Sequence, residues 1–444
     1  MTLKQSGKST VFMKSQENRQ KICVVGAGPA GMMAAIRAAE LGAHVTLFEK
    51  NKSQKMMESE RFFDNAYLGK KLLITGKGRC NVTNDCTLDE FMKNVPVGSK
   101  FMYASFNSFT PQDLMNFFEN QGTPLKVERG NRVFPVSDKS LDVLRALKKK
   151  LQENDVKIVN KKVCSVNVKD GIFDSVTLDD GNALNFDRCI IATGGKSYPQ
   201  TGSDGDGYEF ATMLGHTVKE LKPSLVPIVA HDKACRDMMG LSLRNVSVSV
   251  VDKKKNKVIF KETGEMLFTH FGMSGPLILS ASSHIREFEK GRYFVSIDLK
   301  PALDEKTLDT RLLSDFGKYI NKNMDNALCD LLPSKMIIPF LNKCGVKKEQ
   351  KPNSITKEER RLMVETLKNF VIEVDGFRDI DEAIITSGGV NTKEINPSTM
   401  ESKIVNGLYF AGEMIDVDAY TGGFNLQIAF STGYLAGQNA ACES

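Results

Sequence analysis

Three glycines near the start of the chain have a spacing that lets the backbone close around a phosphate. Gly26, Gly28 and Gly31 follow the apolar residues 22–25 and precede a run of small and apolar residues. In a Gly-x-Gly-x-x-Gly turn, the first glycine permits the turn, the second lets a pyrophosphate approach, and the third lets helix and strand pack closely. The helix that begins there directs its positive amino end at the phosphates. This segment predicts a dinucleotide site.

The acidic residue Glu49 indicates which dinucleotides can bind. Glu49 ends a second apolar stretch, residues 45–48, and lies 18 positions after Gly31. A carboxylate at this place accepts hydrogen bonds from a ribose 2′-hydroxyl and repels a 2′-phosphate. FAD and NAD fit this pattern, and NADP does not.

A second glycine-rich segment lies near the other end of the chain. Gly412 follows the apolar residues 408–411, and the pair Gly422 and Gly423 precedes a run of mostly small and apolar residues up to Gly437. This order predicts a strand, a glycine loop and a helix whose amino end faces the edge of a flavin ring, where negative charge accumulates on reduction. No second Gly-x-Gly-x-x-Gly follows a predicted strand. The sequence therefore favours FAD over NAD as the bound cofactor, and NAD(P)H remains a candidate transient reductant without a Rossmann module of its own.

Composition excludes several other classes of protein. The 444 residues carry 60 Lys and Arg against 54 Asp and Glu, a net charge of +6, and the basic runs at 148–150 and 253–255 have no interleaved aromatics. We interpret these runs as solvated faces and expect no nucleic-acid partner. No apolar run is long enough for a membrane span, and residues 1–20 form a polar leader that we expect to be flexible. These features predict a cytoplasmic protein without integral membrane association.

The nine cysteines predict neither disulfides nor a metal site. They are scattered and contain no Cys-x-x-Cys pair, so reduced thiols are expected and no metal is predicted. Cys80 and Cys86 have five residues between them. The flavin disulfide reductases have four residues between their cysteines, so this spacing argues against a dithiol relay.

The order of predicted elements indicates an α/β fold with a two-part insertion. We expect a Rossmann-like, two-dinucleotide-binding FAD domain from residues 21–195 and 385–444. The insertion comprises a β-barrel-like part, 196–302 and 369–384, and a helical subdomain, 303–368, where apolar residues recur at helical spacing. Residues 68–84 are expected to be a loop shaped around a ligand, 201–207 a turn-rich loop, and 382–386 a strand.

Six segments together resemble one known family. Residues 74–84, 132–138, 192–199, 268–276, 386–390 and 422–427 are similar to the bacterial BaiN/YhiN-like FAD-dependent flavoproteins, also labelled NAD(P)/FAD-dependent oxidoreductases or aminoacetone oxidase-like enzymes. The resemblance covers about residues 21–441. Lys77 stands where members often carry glycine, and Phe424 where they carry tyrosine. The resemblance implies the domain arrangement above and chemistry ranging from reduction of steroid-like enones to amine oxidation.

The motifs and the resemblance together give one set of expected FAD contacts. The resemblance implies, among others, a backbone contact near Val163 and contacts from the glycine-rich loop. The full set is Gly26, Gly28, Pro29, Ala30, Gly31, Glu49, Lys50, Lys71, Gly76, Gly78, Arg79, Cys80, Asn81, Val163, Thr193, Gly194, Gly195, Gly412, Glu413, Asp416, Gly423, Phe424, Asn425 and Gln427.

Catalysis needs a group that holds the substrate above the flavin and supplies or accepts a proton. His270 is a candidate general acid, with a hydrogen-bonded hinge histidine as the alternative. Arg79 either binds an anionic substrate or the flavin O2, or it pairs with a phosphate or makes a structural ion pair. Arg132 and Tyr198 are further candidates, with loop anchoring as their alternative role. Nothing near Cys80 marks a base that would activate it as a nucleophile.

Two functions follow from these residues. The first is an FAD-dependent oxidoreductase that transfers hydride through flavin N5 to or from a small or medium organic substrate, either reducing an enone-type C=C bond or oxidising an amine. The second is a flavin-binding module whose FAD is structural or redox-sensing and which acts through a partner protein. Turnover distinguishes the two.

Overall fold

A computed structural model describes residues 19–51 and 68–442, which divide into two units. The first unit joins the residues before 223 with those after 384, and the second unit is residues 223–384. Most of the leader predicted at 1–20 lies outside the described residues. The boundaries predicted from the sequence, with separate β and helical parts in the insertion, stay a proposal.

The chain up to residue 224 alternates strands and helices. Its strands are β1 Lys21–Val25, β2 His44–Phe48, β3 Thr83–Asn84, β4 Leu125–Glu128, β5 Arg132–Pro135, β6 Lys157–Val159, β7 Val163–Lys169, β8 Ile172–Leu178, β9 Ala183–Asn185, β10 Arg188–Ile191 and β11 Val218–Ser224. Its helices are α1 Pro29–Glu40, α2 Lys70–Ile74, α3 Leu88–Lys93, α4 Tyr103–Ser108, α5 Pro111–Asn120, α6 Ser140–Glu153 and α7 Asp206–Met213, with 3₁₀ turns at Thr75–Gly78, Ser99–Met102 and Pro199–Thr201.

The second unit combines one antiparallel sheet with helices. Its strands are β12 Ile228–Val229, β13 Ser242–Asp252, β14 Lys257–Thr269, β15 Gly272–Ser274, β16 Tyr293–Asp298, β17 Phe370–Glu373 and β18 Gly376–Phe377. Its helices are α8 Lys233–Asp237, α9 Pro276–Ser283, α10 Glu305–Lys318, α11 Met324–Ala327, α12 Ser334–Cys344 and α13 Lys357–Lys368, with 3₁₀ turns at Pro352–Ser354 and Ile380–Glu382. The strand order is β17–β16–β13–β14–β15–β12–β18. Since β17 and β18 are neighbours in the chain but stand at opposite ends of this order, the sheet curls toward a barrel.

The chain then returns to the first unit. The last elements are β19 Ile385–Val390, β20 Leu408–Phe410 and α14 Phe424–Ala441, with 3₁₀ turns at Thr392–Glu394 and Gly412–Met414. The main sheet has the order β20–β10–β1–β2–β6, and every pair in it is parallel. Its central strand β1 is apolar and buried from Ile22 to Val25, as expected for a parallel sheet covered on both faces. The predicted Rossmann-like α/β fold is confirmed.

Helices α1 and α14 bring the two ends of the chain together. A methyl group on Gly433 in α14 would lie 2.2 Å from the carbonyl oxygen of Ala30 in α1, so the two helices pack backbone against backbone. The N-terminal turn and the C-terminal glycine loop are thereby held within one unit.

Three expectations about local structure are wrong. Residues 68–84 are not one loop, because Gly69 turns the chain in a left-handed conformation and the short helix α2 follows, with Leu72 buried. The predicted loop at 201–207 ends at Gly205, which has a φ of 100°, and α7 begins at Asp206 with acidic residues in its first turn, as the helix dipole favours. The strand expected at 382–386 begins only at Ile385, after a 3₁₀ turn.

Candidate functional site

Two glycines of the N-terminal turn have no room for a side chain, and the third has room. A methyl group on Gly26 would lie 2.6 Å from the Ala192 carbonyl oxygen, and one on Gly31 would lie 1.9 Å from the Gly26 carbonyl oxygen. One on Gly28 would meet no atom of the described residues within 4 Å. Helix α1 begins directly after Gly28, with Pro29 at its first position and no side-chain cap. The space at Gly28 therefore faces free backbone N–H groups, which is the setting that a pyrophosphate requires.

Glu49 lies beside this turn at the end of β2. Only 7 % of it is exposed. Its Oε2 accepts from the Ala27 backbone N–H at 3.1 Å, and its Oε1 accepts from the Asn51 backbone and side-chain amides at 2.8 and 2.7 Å. Burial raises the pKa of Glu49. Because a carboxylate offers about four acceptor positions, one remains for a ribose hydroxyl.

Lys50 is held by acidic residues of a neighbouring loop. Its ammonium contacts the carboxylate of Asp204 and lies 2.7 Å from Asp206 Oδ2. Its charge is therefore balanced within the protein, and its contact with the cofactor stays a prediction.

The glycine-rich loop presents an acceptor atom that has no partner. Gly76, Lys77 and Gly78 all have positive φ values, and the loop then turns inward at Cys80, which is fully buried. Burial raises the pKa of the Cys80 thiol to about 12, so this thiol is neutral and unsuited to nucleophilic attack. The buried Oδ1 of the next residue, Asn81, has no hydrogen-bond partner within the described residues. A bound group with an N–H or O–H donor would satisfy it.

Arg79 makes the structural ion pairs considered as its alternative role. Its Nη2 lies 2.5 Å from Glu128 Oε1 and 2.6 Å from Asp138 Oδ1, and its guanidinium lies 4.1 Å above the ring of Phe134. The hydrogen bonds with Arg79 lower the pKa of the Glu128 carboxyl. Arg132, in contrast, is exposed, and its Nε donates to the Arg129 carbonyl at 3.0 Å.

Four segments meet at an ion pair beyond the carboxyl end of the parallel sheet. Lys71 Nζ lies 2.7 Å from Glu413 Oε2 and 2.8 Å from Ser197 Oγ, and the Thr386 backbone N–H donates to Glu413 Oε1 at 2.9 Å. A methyl group on Gly195 would lie 2.9 Å from that same Oε1. Open α/β folds bind their ligands at this end of the strands, and the half-buried pair offers a ligand both a donor and an acceptor.

The amino end of α14 lies directly after the glycine pair, where the sequence predicts a helix to begin. Helix α14 starts after Gly423 without a side-chain cap. Asn425 is engaged with the backbone of Ala419 through both its Oδ1 and its Nδ2. Gln427 is fully buried; it accepts from Thr83 Oγ1 and donates to the Phe109 carbonyl. These two side chains fix the helix terminus, and their direct contact with a cofactor stays a prediction.

The remaining predicted residues lie at several places in the fold. Gly412 lies just after β20. A methyl group on Gly412 would come within 2.8 Å of the Cβ of Ala30, which lies on the first turn of α1. Thr193 and Gly194 follow β10. Asp416 is buried and pairs with Lys219 at 2.5 Å, and Phe424 is also buried. Val163 begins β7, outside the main sheet.

Two of the catalytic candidates lie on turns. Tyr198 is half-buried and left-handed, with a φ of 54°. His270 belongs to the second unit, where it lies exposed between β14 and β15 with its ring 5.0 Å from that of Phe271. The catalytic roles of His270, Tyr198, Arg79 and Arg132 stay predictions.

Two residues that support the site were missed by sequence reasoning. Asn51 holds the Glu49 carboxylate with two donors, and its position two residues after the acid is a recognisable turn signal. Ser197 is fully buried against the Lys71 ammonium, and no local pattern marks it.

The arrangement fits FAD. The open space at Gly28 suits a pyrophosphate, the remaining acceptor position of Glu49 suits a ribose hydroxyl, and the partnerless Asn81 Oδ1 suits a polar edge of a bound ring. Among the helices of the described ranges, none combines the length and the apolarity needed to cross a bilayer.

Comparison with known proteins identifies the family of this chain. The family model for the HI0933-like protein Rossmann domain matches residues 20–439. The 3-dehydro-bile acid delta(4,6)-reductase of Clostridium scindens is 29 % identical over 95 % of this chain and 99 % of its own length. The ribosomal RNA dihydrouridine synthases of Escherichia coli and Haemophilus influenzae are 29 % and 28 % identical over 94 % and 93 % of this chain, and over 96 % of their own length in each case. The chain belongs to the HI0933-like family and is an FAD-dependent oxidoreductase.

Proposed function

We propose that the protein reduces a carbon–carbon double bond that is conjugated to a carbonyl group. The observation that carries the proposal is that relatives with two different names are both named for this kind of reduction. Each of them is similar to this chain over nearly its whole length. A 3-oxo steroid with a Δ4 double bond and a uracil ring both place C=C beside C=O. Such a bond accepts hydride at the carbon remote from the carbonyl, and the negative charge then moves to the carbonyl oxygen.

The described residues supply the parts that this reaction needs from the protein. FAD, when bound and reduced, supplies the hydride. Glu49 and the turn at Gly28 hold the nucleotide half of the cofactor, and the uncapped amino end of α14 favours negative charge near the ring. The substrate carbonyl needs a hydrogen-bond donor and its α-carbon needs a proton. Tyr198 and His270 remain the candidates for these two roles, and Arg132 remains a candidate for holding the substrate.

An RNA substrate is the second candidate. The two relatives named ribosomal RNA dihydrouridine synthase support it. The charge pattern of the sequence, in contrast, argues against a nucleic-acid partner. A cytoplasmic location is part of the proposal and is supported by nine cysteines that are all unpaired, as in reducing compartments.

Anaerobic turnover tests the proposal. Holoenzyme is mixed with NADH or NADPH and a 3-oxo-4-ene steroid or a uridine-containing RNA, and we expect one NAD(P)H and one proton to be consumed for each double bond lost. Amines under air form the opposing arm. Oxygen consumption with an amine, and no loss of any conjugated double bond, would overturn the proposal in favour of amine oxidation.

A further inference from the structure

Three exposed cations of the first unit have no acidic partner. Lys77, Arg129 and Arg132 are exposed, and within the described part of the chain no carboxylate lies within 4.0 Å of their charged groups. We call these three residues the cationic rim. The acidic residues nearest to Arg129 and Arg132 along the chain, Glu128 and Asp138, are already bound by Arg79 and Lys126. Within the described residues, no ion pair therefore neutralises the rim.

The rim is attached to the elements of the flavin site. Asn84 Nδ2 donates to the Gly130 carbonyl at the tip of the β4–β5 hairpin, at 2.9 Å, and to the Gly422 carbonyl before α14, at 3.0 Å. Arg132 stands opposite Asn84 in the strand register, and Arg129 precedes Gly130. One asparagine thus locks the hairpin that carries two of the cations to the turn at the amino end of α14.

The backbone next to the third residue of the rim, Lys77, lies near the ring of Phe134. A methyl group on Gly76 would lie 3.4 Å from Cε1 of Phe134, and Lys77 follows Gly76 at the usual Cα spacing of about 3.8 Å. The Arg132 guanidinium carbon lies 5.9 Å from the centroid of that ring. Lys77 also has a φ of 59°, a conformation that glycine adopts with less strain.

The local hydrogen bonds prepare Arg132 to bind a ligand. Its Nε donates to the Arg129 carbonyl at 3.0 Å. This bond orients the guanidinium. Its terminal N–H groups have no partner among the described residues, so they are available for a forked interaction with a carboxylate or phosphate.

We infer that the cationic rim binds an anionic group, a carboxylate or a phosphate, carried by the substrate. The inference rests on the proposed reduction and names its substrate class: a conjugated carbonyl compound that bears a negative charge away from the reacting bond. The rim then acts in substrate selection, because it adds affinity for the charged substrate over a neutral analogue.

Matched substrate pairs test the inference. One pair is a 3-oxo-4-ene steroid carboxylate and its methyl ester, and the other is a short uridine-containing RNA and free uridine. For wild-type holoenzyme we expect kcat/KM to favour the charged member of one pair by about tenfold, and this preference to shrink as salt is raised. The pair that shows the preference identifies the anion as carboxylate or phosphate.

Variants locate the preference. In Lys77→Gln/Arg129→Gln/Arg132→Gln we expect the charged-to-neutral ratio of kcat/KM to fall to about one. Arg145→Gln is the matched control, because Arg145 is an exposed arginine of the same unit on α6, and it should keep the ratio. If the triple variant does not fold with FAD bound, the single variant Arg129→Gln at the hairpin tip is used and should lower the ratio in the same direction.

Binding separates failure of the inference from failure of the proposed function. The change in flavin absorbance is followed while each of the four compounds is titrated into oxidised holoenzyme. If no compound is reduced, the proposed reduction fails, and preferential binding of a charged member that the variant loses still supports the rim. Equal binding of charged and neutral members by wild type, or an unchanged ratio in the variant, overturns the inference.

Discussion

The two glycine turns at the ends of the first unit look alike in sequence and differ in what lies beside them. Each precedes a helix without a side-chain cap. In the part of the chain that the structure describes, a methyl group on Gly28 would meet no atom within 4 Å, whereas one on Gly423 would lie 2.3 Å from the Thr83 carbonyl oxygen. Glycine at 28 therefore leaves room for a ligand, and glycine at 423 leaves room for the protein itself.

This difference teaches that glycine spacing alone does not distinguish binding from packing. The C-terminal turn approaches β3 so closely that its backbone is fixed, and its value to the site is the direction of α14. The N-terminal turn is fixed at Gly26 and Gly31 and remains open between them. The structure thus leaves room for a ligand at the N-terminal turn, whereas the C-terminal turn packs against protein and sets the direction of α14.

Gly423→Ala should have the largest effect. Gly423 has a φ of 101°, and the added methyl would overlap backbone, so we expect the free energy of unfolding to fall by about 3 kcal/mol. Thermal melts of the apoprotein measure this. Gly28→Ala is the matched variant: we expect it to keep the apoprotein melting temperature and to raise the Kd for FAD about tenfold. Equal loss of stability in both variants would contradict the comparison.

Gly433→Ala tests the contact that joins the two turns. Its methyl would lie 2.2 Å from the Ala30 carbonyl oxygen, and we expect about 2 kcal/mol of destabilisation as α1 and α14 separate. Gly317→Ala serves as control, because this exposed position in α10 has no atom within 4 Å of the added methyl. There we expect a gain of about 0.5 kcal/mol from the higher helix propensity of alanine. Denaturant titration distinguishes loss from gain.

The sequence predicts those parts of the site that depend on neighbours in the chain. Gly26, Gly28, Gly31 and Glu49 have fixed spacings within one strand–helix–strand unit, and the parallel pairing of β1 with β2 places them together. The short apolar run at 189–192 is soon followed by glycines, which is typical of a buried parallel strand, and the structure has β10 there, parallel to β1.

Contacts between distant segments could not be predicted. Lys71 and Glu413 are 342 positions apart, and no local pattern connects them. The sequence left two roles open for Arg79, and only the folded hairpin brings Glu128 and Asp138 to its guanidinium. Short helices such as Lys70–Ile74 were also missed, because five residues are too few to show helical periodicity.

Glu49→Gln tests how the open turn recognises the ribose. Loss of a charge-assisted hydrogen bond should weaken FAD binding about tenfold. Burial raises the pKa of Glu49. As the pH is lowered, wild type should therefore begin to lose FAD affinity at a higher pH than it would if Glu49 were exposed. Affinity should be level above that pKa and fall as pH decreases through it, because only the carboxylate accepts from both the ribose and the backbone. Kd values from FAD fluorescence across about pH 5 to 8 measure this. A variant with the same pH profile as wild type would exclude Glu49 as the titrating group.

Cys80→Ala should have the smallest effect and sharpens the comparison at the glycine-rich loop. Cys80 is fully buried, and burial raises its pKa to about 12, so at neutral pH the thiol is neither charged nor reactive. Cys80 resembles Gly423 in that both are packed against protein atoms. We expect turnover per bound FAD to stay within about twofold of wild type, and iodoacetamide to label the exposed Cys164 and Cys329 well before Cys80. A large loss of turnover at normal FAD content would place the thiol in the reaction and show that this part of the loop, like Gly28, faces a ligand.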